Sequence, residues 1–290
     1  MNKLKRLIWI HIGLALVILT SCGVSNGTEN HQTDGETVIT QPEEPAYESP
    51  IYAFDSVACS DRYVREDTGE ESAVYNYKFP VLSVVNAESL TDADRESVQR
   101  NVAVFNQRMS ELMEEFVAHG KKLIESQKEL VETENVSFAV CDEVIGVPVQ
   151  MGQIISVVTH CYFYSGGVHP SSFTVTYTFD LSVGQFIDPT QVADDPEAFR
   201  VAAADLLVVH AESLGEEYVS GFWTDYRDII TRWNETSVIF EESGMTVIFS
   251  AYELGPYALG PVELKLSYEE LIDAIGDGGL YHLGVLNESE

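Results

Sequence analysis

The chain has 290 residues, with 16 lysines and arginines against 47 aspartates and glutamates, and its net charge is −31 at pH 7. Nucleic-acid-binding proteins carry basic patches, so this charge argues against that class. The charge would attract cationic partners, and the alternative is that acidity only keeps an exported protein soluble. With 45% hydrophobic residues, the chain has enough apolar side chains for one or two folded domains.

The N-terminus has the three parts of an export signal. Three basic residues precede an apolar run at residues 7–19, which is shorter than the roughly 20 residues that cross a bilayer. Small residues then lead to Cys22, and this arrangement resembles the bacterial lipobox. We therefore predict a lipoprotein signal peptide at residues 1–21, with an ordinary signal peptide and a chance cysteine as the alternative.

Residues 22–50 are predicted to be a lipidated cysteine followed by a disordered tether. Polar residues, glycine and proline dominate this segment, which has too few apolar side chains to offset the entropy cost of ordering. Two or three acyl chains on Cys22 would hold the protein stably, since each buried methylene contributes about 0.8 kcal/mol. The predicted location is the outer face of the cell membrane, or the outer membrane in a cell that has one.

Residues 51–134 are predicted to form an N-terminal α+β region. The predicted elements are strands at residues 51–64 and 73–85 and a helix at residues 90–131. Thr91 is the predicted N-cap of this helix, and apolar residues then recur at spacings of three and four. The pair His119-Gly120 is expected to bend or interrupt the helix.

Residues 135–286 are predicted to form a C-terminal α+β domain. Alternating apolar and polar residues indicate a strand with one buried and one solvent-exposed face, most clearly at residues 173–181. The predicted strands cover residues 136–145, 154–164, 173–181, 236–240, 245–249 and 262–266, and the predicted helices cover residues 195–214, 226–233 and 268–275. This order favours an α+β fold: antiparallel sheets, one long helix in the N-terminal half, and helices packed on one face in the C-terminal half.

After Cys22, the cysteines are Cys59, Cys141 and Cys161. Three cysteines allow at most one intramolecular disulfide. A bridge between Cys141 and Cys161 across the predicted hairpin needs Cα atoms about 4.4–6.8 Å apart, and free buried thiols are the alternative. The cysteines and histidines match no common metal-binding spacing, so we predict no metal site and no cofactor.

Two loops between predicted strands carry the candidate binding residues. The first contains Tyr164, Gly166, Gly167 and His169, and the second contains Tyr252, Glu253 and Tyr257. The glycine pair favours a tight turn, and its alternative role is to expose backbone amides to a ligand. The histidine and the glutamate are interpreted as structural groups, with binding or acid–base roles left open. The tyrosines supply aromatic surface for a ligand or side chains for the core. No residue is singled out as catalytic.

These loops resemble those of the RsiV-like extracellular domain family, a module shared by the anti-sigma factor RsiV and the peptidoglycan deacetylase PdaC. The resemblance rests on a Tyr-x-Gly-Gly-x-His step, on Phe179-Asp180-Leu181 with Gly184 after it, and on a Tyr-Glu-x-x-Pro-Tyr-Ala-x-Gly run beginning at Tyr252. It covers most of residues 51–276 and is most specific in the C-terminal half.

The resemblance implies a binding function. In RsiV the module is a receptor for lysozyme, and we expect neither the sigma-binding segment of RsiV nor the catalytic domain of PdaC in this chain. The predicted function is a non-enzymatic cell-envelope module that binds lysozyme or a similar cationic wall hydrolase as a sensor, decoy or inhibitor. Peptidoglycan is the alternative ligand, and a wall hydrolase that uses Glu253 or His169 is the remaining hypothesis.

Overall fold

The computed structural model describes residues 49–134 and 136–286 of the chain. Cys22, the predicted signal peptide and most of the predicted tether lie outside these residues, so the lipid anchor stays a prediction. None of the helices in the described ranges is long and apolar enough to cross a membrane.

The described residues form nine strands and five α-helices, and the predicted α+β class is confirmed. The strands are β1 (Tyr52–Val64), β2 (Glu71–Val84), β3 (Val140–Met151), β4 (Ile154–Tyr164), β5 (Ser171–Asp180), β6 (Gln185–Ile187), β7 (Ser237–Glu241), β8 (Gly244–Phe249) and β9 (Val262–Ser267). The helices are α1 (Asp92–Glu134), α2 (Pro196–Ser213), α3 (Glu216–Val219), α4 (Tyr226–Ile230) and α5 (Tyr268–His282).

The strands form two sheets, with the orders β1-β2-β3-β4-β5-β6 and β7-β8-β9. Neighbouring strands are antiparallel except β2 and β3, which run parallel and depart from the predicted antiparallel pattern. The reason is that α1 connects β2 to β3 and carries the chain back along the sheet, as a crossover helix does. The larger sheet therefore contains strands from both of the predicted α+β regions.

The long helix α1 packs on one face of the six-stranded sheet. The Thr91 hydroxyl accepts a hydrogen bond from the Asp94 amide at 3.1 Å, as an N-cap does. The helix continues through His119 and Gly120, so the predicted break there is wrong. Gly120 is buried against the Tyr75 ring, and its missing side chain lets the helix lie close to β2. A glycine that reads locally as a helix breaker is therefore a packing residue.

The second sheet covers the other face of the first sheet, which gives the molecule four layers. In order, the layers are α1, the six-stranded sheet, the three-stranded sheet, and the helices α2 and α5. Val158 of β4 meets Ile239 and Ile248 between the two sheets. Trp233 is fully buried in the core between the second sheet and α2.

The polar side chains that alternate along β5 are buried, although the sequence predicts a solvent-exposed face. These side chains, none of them more than 7% exposed, are Ser172, Thr174, Thr176 and Thr178. β7 packs over them, and the Ser237 hydroxyl donates a hydrogen bond to the Thr174 carbonyl at 2.5 Å. The prediction of a wet face is wrong because the second sheet replaces water there.

Three element ends also differ from the predictions. β3 continues to Met151 because the turn to β4 is a tight one at Gly152, whose φ is +51°. α4 ends at Ile230, and a separate 3₁₀ turn follows it. α5 continues to His282 through a kink at Gly276, where a φ of +78° interrupts the helical backbone.

The three cysteines of the described residues are free thiols. In the β3–β4 ladder Cys161 lies opposite Val144, whereas Cys141 lies opposite Tyr164. This offset of three residues separates the two cysteines by about 10 Å along the strands, which is too far for a disulfide. Burial raises the pKa of the Cys141 thiol to about 11 and also raises that of Cys161. The structure therefore supports the free-thiol alternative.

Candidate functional site

The β4–β5 loop and the β8–β9 loop meet through three side chains. The His169 ring stacks on the Tyr257 ring, with centroids 3.9 Å apart and an interplanar angle of 11°. The Tyr252 hydroxyl lies 3.4 Å from His169 Nε2, and the two tyrosine ring centroids are 5.6 Å apart. We call His169, Tyr252 and Tyr257 the aromatic cluster. The structure thus brings together three candidate residues from two loops that are far apart in sequence.

The contacts of His169 define the tautomer of its neutral ring. Nδ1 lies 2.7 Å from the Pro170 carbonyl oxygen, which can only accept, so Nδ1 carries the proton and donates. Nε2 is then an acceptor, and the Tyr252 hydroxyl donates to it. These two contacts orient an imidazole that is exposed on the surface of the loop.

The glycine pair and Tyr164 shape the β4–β5 loop. Gly166 has a φ of +80°, and a Cβ atom there would lie 2.7 Å from the Phe138 ring. A side chain at this position is therefore disfavoured by both the backbone and the neighbouring ring. The Tyr164 hydroxyl donates a hydrogen bond to the Gly167 carbonyl at 3.1 Å, which closes the loop behind His169.

Tyr252 has a left-handed backbone, with a φ of +71°, and is alone among the non-glycine residues of the described ranges in having positive φ. Such a conformation costs free energy and persists where neighbouring contacts hold it. The Trp223 indole N–H donates to the Tyr252 carbonyl at 3.2 Å, and the Trp223 amide donates to the Leu254 carbonyl at 2.7 Å. Trp223 therefore holds the strained part of the β8–β9 loop in place.

Glu253 anchors the start of the same loop. Its Oε2 atom accepts hydrogen bonds from the Ser250 amide at 2.7 Å and from the Thr236 hydroxyl at 3.0 Å. These bonds connect the end of β8 to the segment that precedes β7. The geometry supports the interpretation of Glu253 as a structural acceptor.

Replacing Glu253 with alanine is expected to lower the free energy of unfolding by about 1–2 kcal/mol, because the Ser250 amide loses its acceptor. The Thr236 hydroxyl retains the Ile248 carbonyl as an acceptor at 2.8 Å. Glu253→Gln keeps an oxygen at this position and is expected to lose less. Urea denaturation followed by circular dichroism measures both changes. Glu242→Ala, which removes an exposed carboxylate from the turn at the opposite end of the β7–β8 hairpin, is the control for charge. Wild-type stability in Glu253→Ala would contradict the structural role.

A groove of about 420 Å³ opens beside Tyr252. Asp225, Arg232 and Glu253 lie on its walls. Tyr252 is 48% exposed and Trp223 is 40% exposed, so accessible aromatic surface adjoins a groove with charges of both signs. The sequence analysis missed the tryptophan, the aspartate and the arginine. The sequence offers one signal, the short Gly-Phe-Trp-Thr-Asp segment between two predicted elements, which contains the tryptophan and the aspartate.

The arrangement combines flat aromatic faces, an oriented imidazole and charged groups at a groove. Such groups recognise ligands by stacking, by hydrogen bonds and by charge complementarity. Within residues 49–134 and 136–286, no group of three or more His, Cys, Asp or Glu side chains is placed to hold a metal ion.

One family model matches part of this region. Residues 220–269 match the model described as "Protein of unknown function (DUF3298)". The matched segment contains Trp223, Tyr252, Glu253 and Tyr257, whereas the β4–β5 loop with His169 lies outside it. No curated protein matches the chain.

Two solved structures of DUF3298 family proteins align with most of the chain. The structure from Bacteroides fragilis is 17% identical, with a TM-score of 0.57, and the alignment covers 81% of this chain and 97% of that chain. The structure from Pseudomonas aeruginosa is 13% identical, with a TM-score of 0.49, and the alignment covers 79% and 96% of the two chains. The chain thus carries a DUF3298 match at residues 220–269 on a fold similar to that of the Bacteroides fragilis protein.

Proposed function

We propose that the chain is a cell-envelope lipoprotein whose folded part binds lysozyme or a similar cationic wall hydrolase and has no enzymatic activity. The main support for a binding site is the aromatic cluster, which is accessible at the protein surface. The basic, apolar and small-residue segments before Cys22 support export and lipid anchoring. The resemblance to the RsiV-like extracellular domain supports the choice of partner.

The aromatic cluster has the properties of a protein-binding hot spot. Tyrosine and tryptophan are enriched at the energetic centres of interfaces because they bury a large area and carry a polar group. Tyr252 and Trp223 are about half exposed, and His169 is exposed above Tyr257. Since stacking and hydrogen bonds already orient these rings, binding would cost little conformational entropy.

Negative charge near the cluster favours a cationic partner. Glu216 and Glu217 are exposed on α3, and Asp225 is exposed beside the groove. The segment after α3 packs closely on the β8–β9 loop, because a Cβ atom at Gly255 would lie 2.7 Å from the Gly221 carbonyl oxygen. With a net charge of −31 overall, the protein would attract a basic hydrolase and raise its rate of association.

Binding of the purified full-length chain to a basic lysozyme, measured by calorimetry at low and physiological salt, tests this function. We expect a saturable complex that weakens as salt rises. Tyr257→Ala is expected to weaken binding by about tenfold or more because it removes the ring on which His169 stacks. Tyr281→Ala, which removes an exposed tyrosine from α5, is the control.

The control defines the result that would contradict the proposal. Absence of a saturable complex at both salt concentrations, or an equal loss in Tyr257→Ala and Tyr281→Ala, would exclude this site. A parallel assay of wall lysis separates an inhibitor or decoy, which blocks lysis, from a sensor, which binds without blocking.

The groove beside Tyr252 favours a wall glycan as the second candidate ligand. Sugar rings stack on aromatic side chains, and their hydroxyl groups pair with planar charged groups such as those of Asp225 and Arg232. Sedimentation of the same variants with purified peptidoglycan separates the two candidates. Glycan binding in the groove would be lost in Arg232→Ala and would depend weakly on salt.

A further inference from the structure

A second cavity, of about 400 Å³, lies between α1 and the β3–β4 hairpin. Its walls are largely apolar and include Phe116 of α1, Phe163 and Cys161 of β4, and Phe173 of β5. Its volume lies within the range of roughly 300–1,000 Å³ that is typical of small-molecule sites. The cavity is therefore large enough for one aromatic ring with a short side chain.

Asp142 is the polar group inside this cavity. The residue is 7% exposed, and its Oδ2 atom accepts a hydrogen bond from the Tyr77 hydroxyl at 2.8 Å. His119 Nδ1 lies 3.9 Å from the same oxygen. Within residues 49–134 and 136–286, the Oδ1 atom accepts no hydrogen bond. Burial raises the pKa of Asp142, while the Tyr77 hydrogen bond and His119 oppose that rise.

A buried carboxylate with one free oxygen is costly unless a cation or further donors compensate it. Glu115 also lines the cavity, but its side chain is 45% exposed and its Oε1 atom forms an ion pair with Arg108 Nη1 at 3.5 Å. The rings of Phe116 and Phe163 add faces that attract a cation. An anion would be repelled by the Asp142 carboxylate, and a neutral apolar molecule would leave the Asp142 oxygen unpaired.

We propose that this cavity binds a small organic cation in which an aromatic or similarly sized apolar group is joined to an ammonium group. The apolar group packs between Phe116, Phe163 and Phe173, and the ammonium group donates to Asp142 Oδ1. This site is independent of the aromatic cluster, because it is built from different side chains and takes a small molecule.

The test compares phenethylamine with phenethyl alcohol, which has nearly the same shape and no charge. Both are titrated into the purified full-length chain at physiological ionic strength, with calorimetry for affinity and amide NMR shifts for location. The amine is expected to bind saturably and at least about tenfold more tightly than the alcohol. The largest shifts are expected in the part of α1 that contains Phe116 and His119, and in β4 around Phe163.

Variants then separate the cavity from general attraction to an acidic protein. Asp142→Asn keeps an acceptor for Tyr77 and removes the charge, and it is expected to abolish the preference for the amine. Glu125→Gln removes an exposed carboxylate from α1 outside the cavity and is expected to change nothing. Equal affinity for amine and alcohol, no saturable binding, or equal losses in the two variants would overturn the proposal. Where Asp142→Asn does not fold, the wild-type preference for the amine over the alcohol and the location of the amide NMR shifts still test the proposal.

Discussion

Replacing Trp233 with alanine is expected to lower the free energy of unfolding by about 3–5 kcal/mol. The side chain is fully buried between the second sheet and α2, and its ring packs edge-on against Phe199 at a centroid distance of 5.4 Å. Its indole N–H donates to the Arg200 carbonyl at 2.9 Å. Alanine would leave a large cavity and remove that donor. Because single domains are stable by only about 5–15 kcal/mol, this loss brings the protein close to unfolding.

Urea denaturation monitored by circular dichroism measures this loss, and Trp223→Ala is the matched control. Trp223 lies ten positions earlier in the chain and is 40% exposed, so its removal is expected to cost about 1 kcal/mol or less. We expect Trp233→Ala to unfold readily. We expect Trp223→Ala to stay folded and to lose affinity for a basic lysozyme. Equal destabilisation of the two variants would mean that the described burial of Trp233 is wrong.

Replacing Gly120 with alanine is expected to destabilise the protein by about 1–3 kcal/mol, although the same change in an exposed helix is stabilising by about 1 kcal/mol. The added Cβ atom would lie 2.5 Å from one Tyr75 ring atom and 2.7 Å from the Tyr77 hydroxyl oxygen. Both tyrosines are buried in the core between α1 and the first sheet, so neither ring has space to move away.

The sign of this change distinguishes packing from helix propensity. Thermal or urea unfolding of Gly120→Ala is compared with that of Ala118→Gly, which changes an exposed position on the same helix. We expect both variants to be less stable than the wild type, Ala118→Gly through lost helix propensity and Gly120→Ala through steric overlap. A more stable Gly120→Ala protein would show that α1 does not approach β2 as closely as described.

Local patterns in the sequence are sufficient to predict most of the secondary structure. The strand predicted at residues 154–164 is β4 with the same ends, and the helix that begins at Asp195 is α2. The Asp195 carboxylate accepts hydrogen bonds from the amides of Glu197 and Ala198, as expected of an N-cap. These predictions succeed because caps, turns and periodicity depend on residues within a few positions of one another.

The candidate binding residues are a mixed case. The composition of two loops and their family resemblance mark His169, Tyr252 and Tyr257, but the stack between His169 and Tyr257 joins loops that are more than eighty residues apart. Trp223 is marked only by its short Gly-Phe-Trp-Thr-Asp segment, and Arg232 carries no local pattern. Both residues join the site only because α4 and its neighbouring segments pack beside the β8–β9 loop. Their contribution follows from packing, which short-range patterns do not specify.

The amino-acid sequence alone is sufficient for the acidic charge, the α+β class and most element positions, whereas the export signal and the lipid anchor at Cys22 stay predictions. Which polar residues are buried depends on the tertiary structure. The serines and threonines of β5 alternate in the same way whether water or a second sheet lies against them, and only the packing of β7 shows that they are buried. It likewise placed Asp142 in an apolar cavity, because α1 and the parallel β2–β3 pair enclose that carboxylate from distant parts of the chain. Burial depends on contacts between distant segments, whereas sequence periodicity reports only the direction in which neighbouring side chains point.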